Sequence, residues 1–397
     1  MENKFKMKIG IFTDCYYPQI NGVITSTINL KTFLEKLGHE VYVITAAISD
    51  FTDNDTEHII RVHSLPFFKL SEFRIGFAIK YSPAYNRIKK LDFDIIHTQT
   101  EFTIGLLGVI VAKDLKIPLI HTYHTVHEEY THYISNFGEK PLKKLARFVS
   151  KKFVERFSAV IVPTQKTKDL LLSYGIKKTI YIVPTGINFD KFKQQIKDEE
   201  IIRIKEKYDI NDSYFNLIFL GRISKEKNID MLIKALPKVL EKNKKINLIV
   251  VGDGPHKQEI KETVNSLKLN SNVIFTDRIP NEHVPVYYRL ADLFISPSKT
   301  ETQGLTIFEA IASETPVLVY DDTNIDGIIF NKKSGLLFKT EEELIDQILF
   351  SAKNPAALNE YAKAAYKNIE ELSSDKFAEK VSQIYMDLIN GQPEKPD

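Results

Sequence analysis

Phe215-Asn-Leu-Ile-Phe-Leu220-Gly221-Arg222-Ile-Ser-Lys225-Glu-Lys227-Asn228 is the stretch on which the reading of the fold turns. Its opening residues form an apolar run of strand length, and a glycine then turns the chain into a polar loop carrying Arg222 and Lys227. Short apolar runs closed by turn residues and followed by helical periodicity mark βα units on a parallel sheet, whose strands are covered on both faces. The same grammar runs through the preceding half. Lys8–Phe12, Glu40–Thr45, Asp94–His97, Pro118–His121, Ala159–Val162 and Tyr181–Val183 read as buried strands, with helices over Val23–Leu37, Ile104–Leu115 and Thr164–Ser173. Pro184-Thr-Gly-Ile-Asn-Phe-Asp190 breaks the alternation and leads into a charged helix, Lys197–Lys207. After Phe215, strands are expected at Ile246–Val251, Val273–Thr276, Leu293–Ile295 and Pro316–Val319. This pattern is that of an α/β chain with two Rossmann-like halves joined near Gly186. The expected domains are 1–188 and 189–373, with 374–397 a helix returning to the first domain and a frayed tail.

Composition narrows the function. At 397 residues the chain has room for two or three cores. Hydrophobic residues at 43% and charged residues at 27% are ordinary for a globular protein. A net charge of +2 excludes a globally basic nucleic-acid binder, so any basic function is local. The single cysteine, Cys15, excludes an intrachain disulfide and fits a reducing cytosol. No apolar run is long enough to span a bilayer and no signal-peptide core opens the chain, so an intracellular protein with at most peripheral membrane contact is expected.

Three post-strand loops carry candidate chemistry. Arg222 and Lys227 stand at the mouth of the second sheet, where an Arg fork and a mobile Lys charge suit phosphate oxygens. Ser298-Lys-Thr-Glu301-Thr-Gln303-Gly304-Leu305-Thr-Ile-Phe-Glu309 places one glutamate on a loop and a second, with seven residues between them, inside the helix that Gly304 opens. Carboxylates accept from sugar hydroxyls, and N–H groups at Gly304 and Leu305 suit a phosphate, so the pair fits a sugar nucleotide. Two surface glutamates around a helix cap would read the same. Asp14-Cys-Tyr-Tyr-Pro18-Gln-Ile-Asn21-Gly22 ends strand one, and Gly22 would let a phosphate approach the next helix or simply make the turn. Val251-Gly252-Asp-Gly254-Pro255 is a tight turn and not a dinucleotide fingerprint, since Lys257 stands where the third glycine should be. His127 and His132, five apart, fall about 140° apart around a helix and cannot share a metal. His124 would hydrogen-bond a sugar or be a satisfied buried histidine.

Two stretches bear on membranes. Glu139–Ser158 carries Lys140, Lys143, Lys144, Arg147, Lys151 and Lys152, with Leu142, Leu145, Val149, Phe153 and Phe157 at helical spacing. Phe73, Phe77, Tyr81 and Tyr85 recur every four residues among further cations. Basic amphipathic segments with aromatics fit an anionic lipid surface, although each stripe packing on the sheet with a solvated lysine face is the plainer account.

Taken together, these residues resemble the retaining glycosyltransferases of family 4, which have the GT-B architecture of two facing Rossmann-like domains with a cleft between them. Within that family the chain is similar to bacterial diacylglycerol glucosyltransferases. Ile9-Gly-Ile-Phe, Asn21-Gly-Val, Leu37-Gly-His-Glu-Val-Tyr-Val-Ile-Thr45, Tyr130-Thr-His-Tyr-Ile134 and Lys299-Thr-Glu-Thr-Gln-Gly-Leu-Thr306 carry the likeness. Thr302-Gln303 stands where many members have Pro-Phe. The resemblance implies that UDP-glucose is the donor and diacylglycerol the acceptor. Arg222 and Lys227 would bind the diphosphate, Glu301 would face the donor sugar, and Glu309 would hold the ribose. Backbone near Arg278 and Ile279 would meet the base, Gln303, Gly304 and Leu305 would line the donor, and His124 would lie beside the transferred sugar. No tightly bound cofactor is implied, and protein cations facing the diphosphate require no divalent metal in principle. The expected place is the inner face of a bacterial membrane. A soluble transferase acting on a sugar, polysaccharide or protein is the rival enzyme, and a two-domain ligand-binding protein the rival of another class. No recognition motif supports nucleic-acid binding.

Overall fold

The structure, a computed structural model, describes residues 6–19, 21–48, 58–67, 70–77, 80–124 and 139–391. The chain divides into two compact units, residues 1–186 with 374–397, and residues 187–373.

The amino-terminal unit contains β1 (Lys8–Thr13), β2 (Glu40–Ala46), β3 (Ile59–Val62), β4 (Ser64–Phe67), β5 (Leu70–Gly76), β6 (Ile95–Thr98), β7 (Leu119–Thr122), β8 (Ala159–Val162) and β9 (Thr179–Ile182). Its helices are α1 (Gly22–Lys36), α2 (Pro83–Lys89), α3 (Thr103–Leu115), α4 (Glu139–Val154) and α5 (Gln165–Ser173). A seven-stranded sheet runs in the order β3-β2-β1-β6-β7-β8-β9. All its pairings are parallel, with Ile9 of β1 between Val41 of β2 and Ile95 of β6. Successive residues of β1 face opposite sides. Ile9 and Ile11 pack with Leu30, Phe33 and Leu34 of α1 and with Phe377, Val381 and Tyr385 of the terminal helix Ser374–Ile389. Phe12 packs with Ile104, Leu107 and Val111 of α3. Two buried histidines fasten the terminal helix: His39 Nε2 lies 2.8 Å from Ser382 Oγ, and His97 Nδ1 lies 2.5 Å from Tyr385 Oη.

The segment holding Phe73, Phe77, Tyr81 and Tyr85 is not one continuous element. β4 and β5 form an antiparallel hairpin, and a helix begins only at Pro83, capped by the Ser82 side chain. A spacing of four is also an even spacing, so the aromatic repeat fits one face of a strand as well as one face of a helix. Proline at the first helical position then fixes where the helix begins. Tyr85 is buried, whereas Phe77 is 46% and Tyr81 74% exposed.

The second unit is built on β10 (Phe215–Leu220), β11 (Ile246–Val251), β12 (Val273–Asp277), β13 (Leu293–Ser296), β14 (Val317–Tyr320) and β15 (Leu336–Phe338). Around them lie α6 (Phe189–Lys193), α7 (Asp198–Tyr208), α8 (Ile229–Lys242), α9 (Lys257–Ser266), α10 (Val284–Arg289), α11 (Leu305–Ala312), α12 (Glu341–Lys353) and α13 (Pro355–Ile369). The six strands, all parallel, run β12-β11-β10-β13-β14-β15. Leu217, Leu248 and Ile295 join one core with α8 and α12, while Ile218, Ile249 and Phe294 join another with α10, α11 and α13. Burial on both faces is what makes these strands unbroken apolar runs in the sequence.

Candidate active site

In the second sheet the strand order reverses between the neighbours β10 and β13, so the loops after these strands flank the place where open α/β sheets hold ligands. Arg222 and Lys227 follow β10, and Glu301, Gln303, Gly304 and Leu305 follow β13. The two loops are tied together. Lys227 Nζ lies 2.6 Å from Glu301 Oε1, Asn228 Nδ2 donates to Pro297 O at 3.2 Å, and Thr300 Oγ1 donates to Glu226 O at 3.4 Å. Arg222 sits half-buried between backbone bonds from Gly221 N to Val251 O (3.0 Å) and from Ile223 N to Asp253 O (2.9 Å). Here the glycines are required: a Cβ at Gly252 would lie 1.9 Å from Gly221 O, and one at Gly254 would lie 2.2 Å from Ile223 O. Gly252-Asp-Gly-Pro thus buttresses the Arg222 loop.

Gly304, at φ +87°, opens α11 with no side-chain cap. Gln303 is buried, its backbone carbonyl accepting from Asn324 Nδ2 at 3.0 Å. α11 is apolar and turned inward, and Glu309 is its one charged residue, only 8% exposed. The Tyr288 hydroxyl lies 3.2 Å from Glu309 Oε2 and 3.0 Å from Thr306 O. Burial raises the Glu309 carboxyl above the usual range, opposed by the Lys191 charge and the Tyr288 hydrogen bond. Lys191, on α6, donates to Asn281 Oδ1 at 2.8 Å, and burial holds its own ammonium below the usual lysine value. Ile279, just after β12, packs half-buried on the core that contains α11. Glu309, Ile279, Lys191 and Tyr288 therefore belong to one neighbourhood. Lys191 and Tyr288 were not singled out from the sequence, because neither stands in a loop that directly follows a strand.

The first sheet reverses between β1 and β6. Asp14, after β1, accepts from Thr100 Oγ1 (2.5 Å), Thr103 Oγ1 (2.9 Å) and Ile104 N (2.8 Å), giving α3 the cap that Phe102 cannot supply. Gly22 is the exposed first residue of α1, and Asn21 caps that helix by accepting from Ile24 N at 2.9 Å. His124, after β7, lies with Nε2 2.7 Å from Gln99 Oε1, and burial pushes its imidazole down to about 3, so the ring is neutral at physiological pH. His127 and His132 and the Tyr130–Ile134 stretch lie outside the described residues.

The apolar stripe expected along α4 divides. Phe153 and Phe157 are in the core, whereas Leu145, Phe148 and Val149 are 56%, 58% and 56% exposed. Lys143, Lys144, Arg147, Lys151 and Lys152 share this region, with Lys152 Nζ 3.4 Å from Glu155. Lys140 falls in α4 and Phe73 in β5. Among the described residues, no helix is long and apolar enough to cross a membrane, and no three His, Cys, Asp or Glu side chains stand together as a metal cluster.

Two family models match this chain: "Glycosyltransferase Family 4" over residues 20–191 and "Glycosyl transferases group 1" over residues 200–368. The alpha-monoglucosyldiacylglycerol synthase of Streptococcus pneumoniae is 39% identical over 384 residues, covering 96% of this chain and 86% of that protein. The synthase of the same name from Acholeplasma laidlawii is 35% identical over 397 residues, covering 98% and 99%. Among solved structures, Anabaena HepE in complex with UDP and glucose superposes with a TM-score of 0.77 at 18% identity, covering 96% of this chain and all (100%) of that one, a likeness of fold. Two parallel-sheet α/β units with this strand order, matched along nearly their whole length, make the chain a GT-B protein that belongs to the family 4 glycosyltransferases.

Proposed function

We propose that this enzyme moves glucose from UDP-glucose to the free hydroxyl of 1,2-diacylglycerol, with retention of configuration, forming α-monoglucosyldiacylglycerol at an anionic membrane surface on the inner face of a bacterial cell membrane. The observation that carries the donor half is the gathering of Arg222, Lys227, Glu301 and the start of α11 on the two loops beside one reversal of strand order. A sugar nucleotide needs that combination. Negative charge develops on the diphosphate as its bond to the sugar breaks, and preorganised cations stabilise that charge. Arg222 and Lys227 take this role, with Gly304 and Leu305 N–H groups beside them, so a divalent metal is not needed for it. Glu301, 2.6 Å from Lys227, orients that ammonium and faces the donor sugar. Glu309 accepts from the ribose hydroxyls, with Tyr288 fixing its carboxylate. Backbone at Ile279 meets the base and Gln303 shapes the donor loop, while in the first unit Gly22 leaves the start of α1 open to a phosphate. His124 hydrogen-bonds the transferred sugar.

The acceptor half rests on the names of the two relatives and on the exposed Leu145, Phe148 and Val149 among the α4 cations. Apolar side chains ringed by Lys and Arg suit the boundary between headgroups and acyl chains, where diacylglycerol lies. The test is UDP release from UDP-glucose in vesicles containing diacylglycerol, with and without anionic lipid. Turnover that needs diacylglycerol and rises with anionic lipid supports the proposal. Turnover with a soluble sugar or peptide instead, and none with diacylglycerol, would overturn it.

A further inference from the structure

We propose that Gln99 is a positioning residue that fixes the tautomer of His124: its side-chain carbonyl holds the imidazole as Nε2–H and leaves Nδ1 as a bare acceptor aimed at a substrate hydroxyl. The inference rests on the reading that His124 meets a polar group of the substrate. Gln99 leaves the end of β6 with its backbone N–H bonded to Phe12 O at 2.8 Å, so it is anchored between β1 and β6, at the reversal of strand order. It is only 2% exposed. An amide oxygen can only accept, so the 2.7 Å contact between Gln99 Oε1 and His124 Nε2 requires the proton on Nε2. A neutral ring with that proton committed has a lone pair at Nδ1, and its matching partner is a hydroxyl hydrogen, the kind a sugar or glycerol carries.

The neighbouring histidines do not offer this. His97 is engaged at both nitrogens, by Tyr385 Oη at 2.5 Å and Thr122 Oγ1 at 2.7 Å. His121 Nδ1 lies 2.8 Å from Thr98 Oγ1 and 3.0 Å from Thr98 O, and its Nε2, which makes no hydrogen bond among the described residues, faces the Glu101 carboxylate 3.4 Å away, an acceptor and not a hydroxyl. Gln99 also has a buried amide Nε2 with no hydrogen-bond partner among the described residues, a second polar group at the same strand end. A carboxamide held this way does what a carboxylate would do for ring orientation without making the ring an imidazolium. That matters beside a reacting sugar whose transition state is itself cationic.

The test is nitrogen-15 NMR of the imidazoles in the full-length protein, combined with activity profiles of Gln99→Leu and Gln99→Glu. The Nε2–H tautomer is expected for His124 in the free protein, with mixed tautomers in Gln99→Leu and a fall in kcat/KM of about tenfold. Gln99→Glu places a carboxylate against the ring and raises its pKa. The titratable groups that act on the ring are otherwise His121 and His97, with Glu101 beyond His121, and these stay as they are. At saturating UDP-glucose that variant should lose turnover as pH falls, through an acid limb in kcat that the wild type lacks. An Nδ1–H tautomer in the wild type would overturn the proposal. So would an Nε2–H tautomer with a Gln99→Glu pH profile parallel to wild type, since a merely structural glutamine adds no ionisation. The tautomer is read without substrate, so its outcome stands apart from whether UDP-glucose and diacylglycerol are the substrates.

Discussion

Replacing Glu309 by glutamine isolates the charge of the buried carboxylate while keeping its shape. Glutamine keeps a carbonyl oxygen to face the Tyr288 hydroxyl, now 3.2 Å from Oε2, so the apolar packing of α11 should survive. The loss is then the difference between a charged and a neutral acceptor for the ribose hydroxyls. Hydrogen bonds to charged groups contribute about 1.5–3 kcal/mol against about 1 kcal/mol for neutral ones. Two hydroxyls accepted by one carboxylate therefore put about 1–4 kcal/mol at stake, or roughly a 5- to 1,000-fold rise in the KM for UDP-glucose. The ribose is remote from the bond that breaks, so ground and transition states lose equally and kcat stays within about threefold. A pH signature accompanies this. Burial raises the Glu309 carboxyl, so as pH falls through that raised value the wild type gains a proton there and its donor KM climbs. The glutamine variant has no proton to gain and its KM stays level. The assay is donor saturation in diacylglycerol vesicles at several pH values, with a thermal melt as the folding control. A donor KM within twofold of wild type, rising toward acid as before, would refute the placement of Glu309 on the ribose.

Lys227→Met removes the partner held 2.6 Å from Glu301 and a cation from the proposed diphosphate site, so kcat should fall about a hundredfold or more, as single-turnover kinetics would read. Gly252→Ala drives a Cβ to 1.9 Å from Gly221 O at a φ of +141°, which should cost about 3 kcal/mol and lower the melting temperature of the second unit by roughly 6–12 °C in calorimetry. Leu145→Glu with Phe148→Glu alters side chains 56% and 58% exposed, so the melt should be unchanged while sedimentation with anionic vesicles weakens by about tenfold or more.

The central strands of both sheets are legible because burial on two faces forces continuous apolar runs, as in Ile246–Val251, every residue of which is buried. Edges are harder. β3 has its apolar run interrupted by Arg61, and β15 is only three residues long, so neither reads as a continuous apolar run of strand length. The β4–β5 hairpin was hidden by aromatics spaced four apart, an interval that strands and helices share. Around the candidate site, Arg222, Lys227, Glu301 and Glu309 could be singled out because each belongs to a loop, or to the helix just beyond it, at the carboxyl end of a strand. The groups that hold them come from elsewhere in the chain. Tyr288 lies on α10 and reaches Glu309, Lys191 comes from α6, and Gln99 meets His124 from the next strand. Such pairings are products of sheet order, and no local pattern records them. On α4, periodicity revealed the apolar stripe. Only the packing separates the buried Phe153 and Phe157 from the exposed Leu145 and Val149.

A crystal structure of the protein soaked with UDP-glucose measures most directly where the donor binds. The diphosphate is predicted to contact Arg222 and Lys227, with the ribose hydroxyls on Glu309 and the uracil against Ile279. UDP bound with its phosphates away from Arg222 and Lys227, or its ribose out of reach of Glu309, would contradict the account.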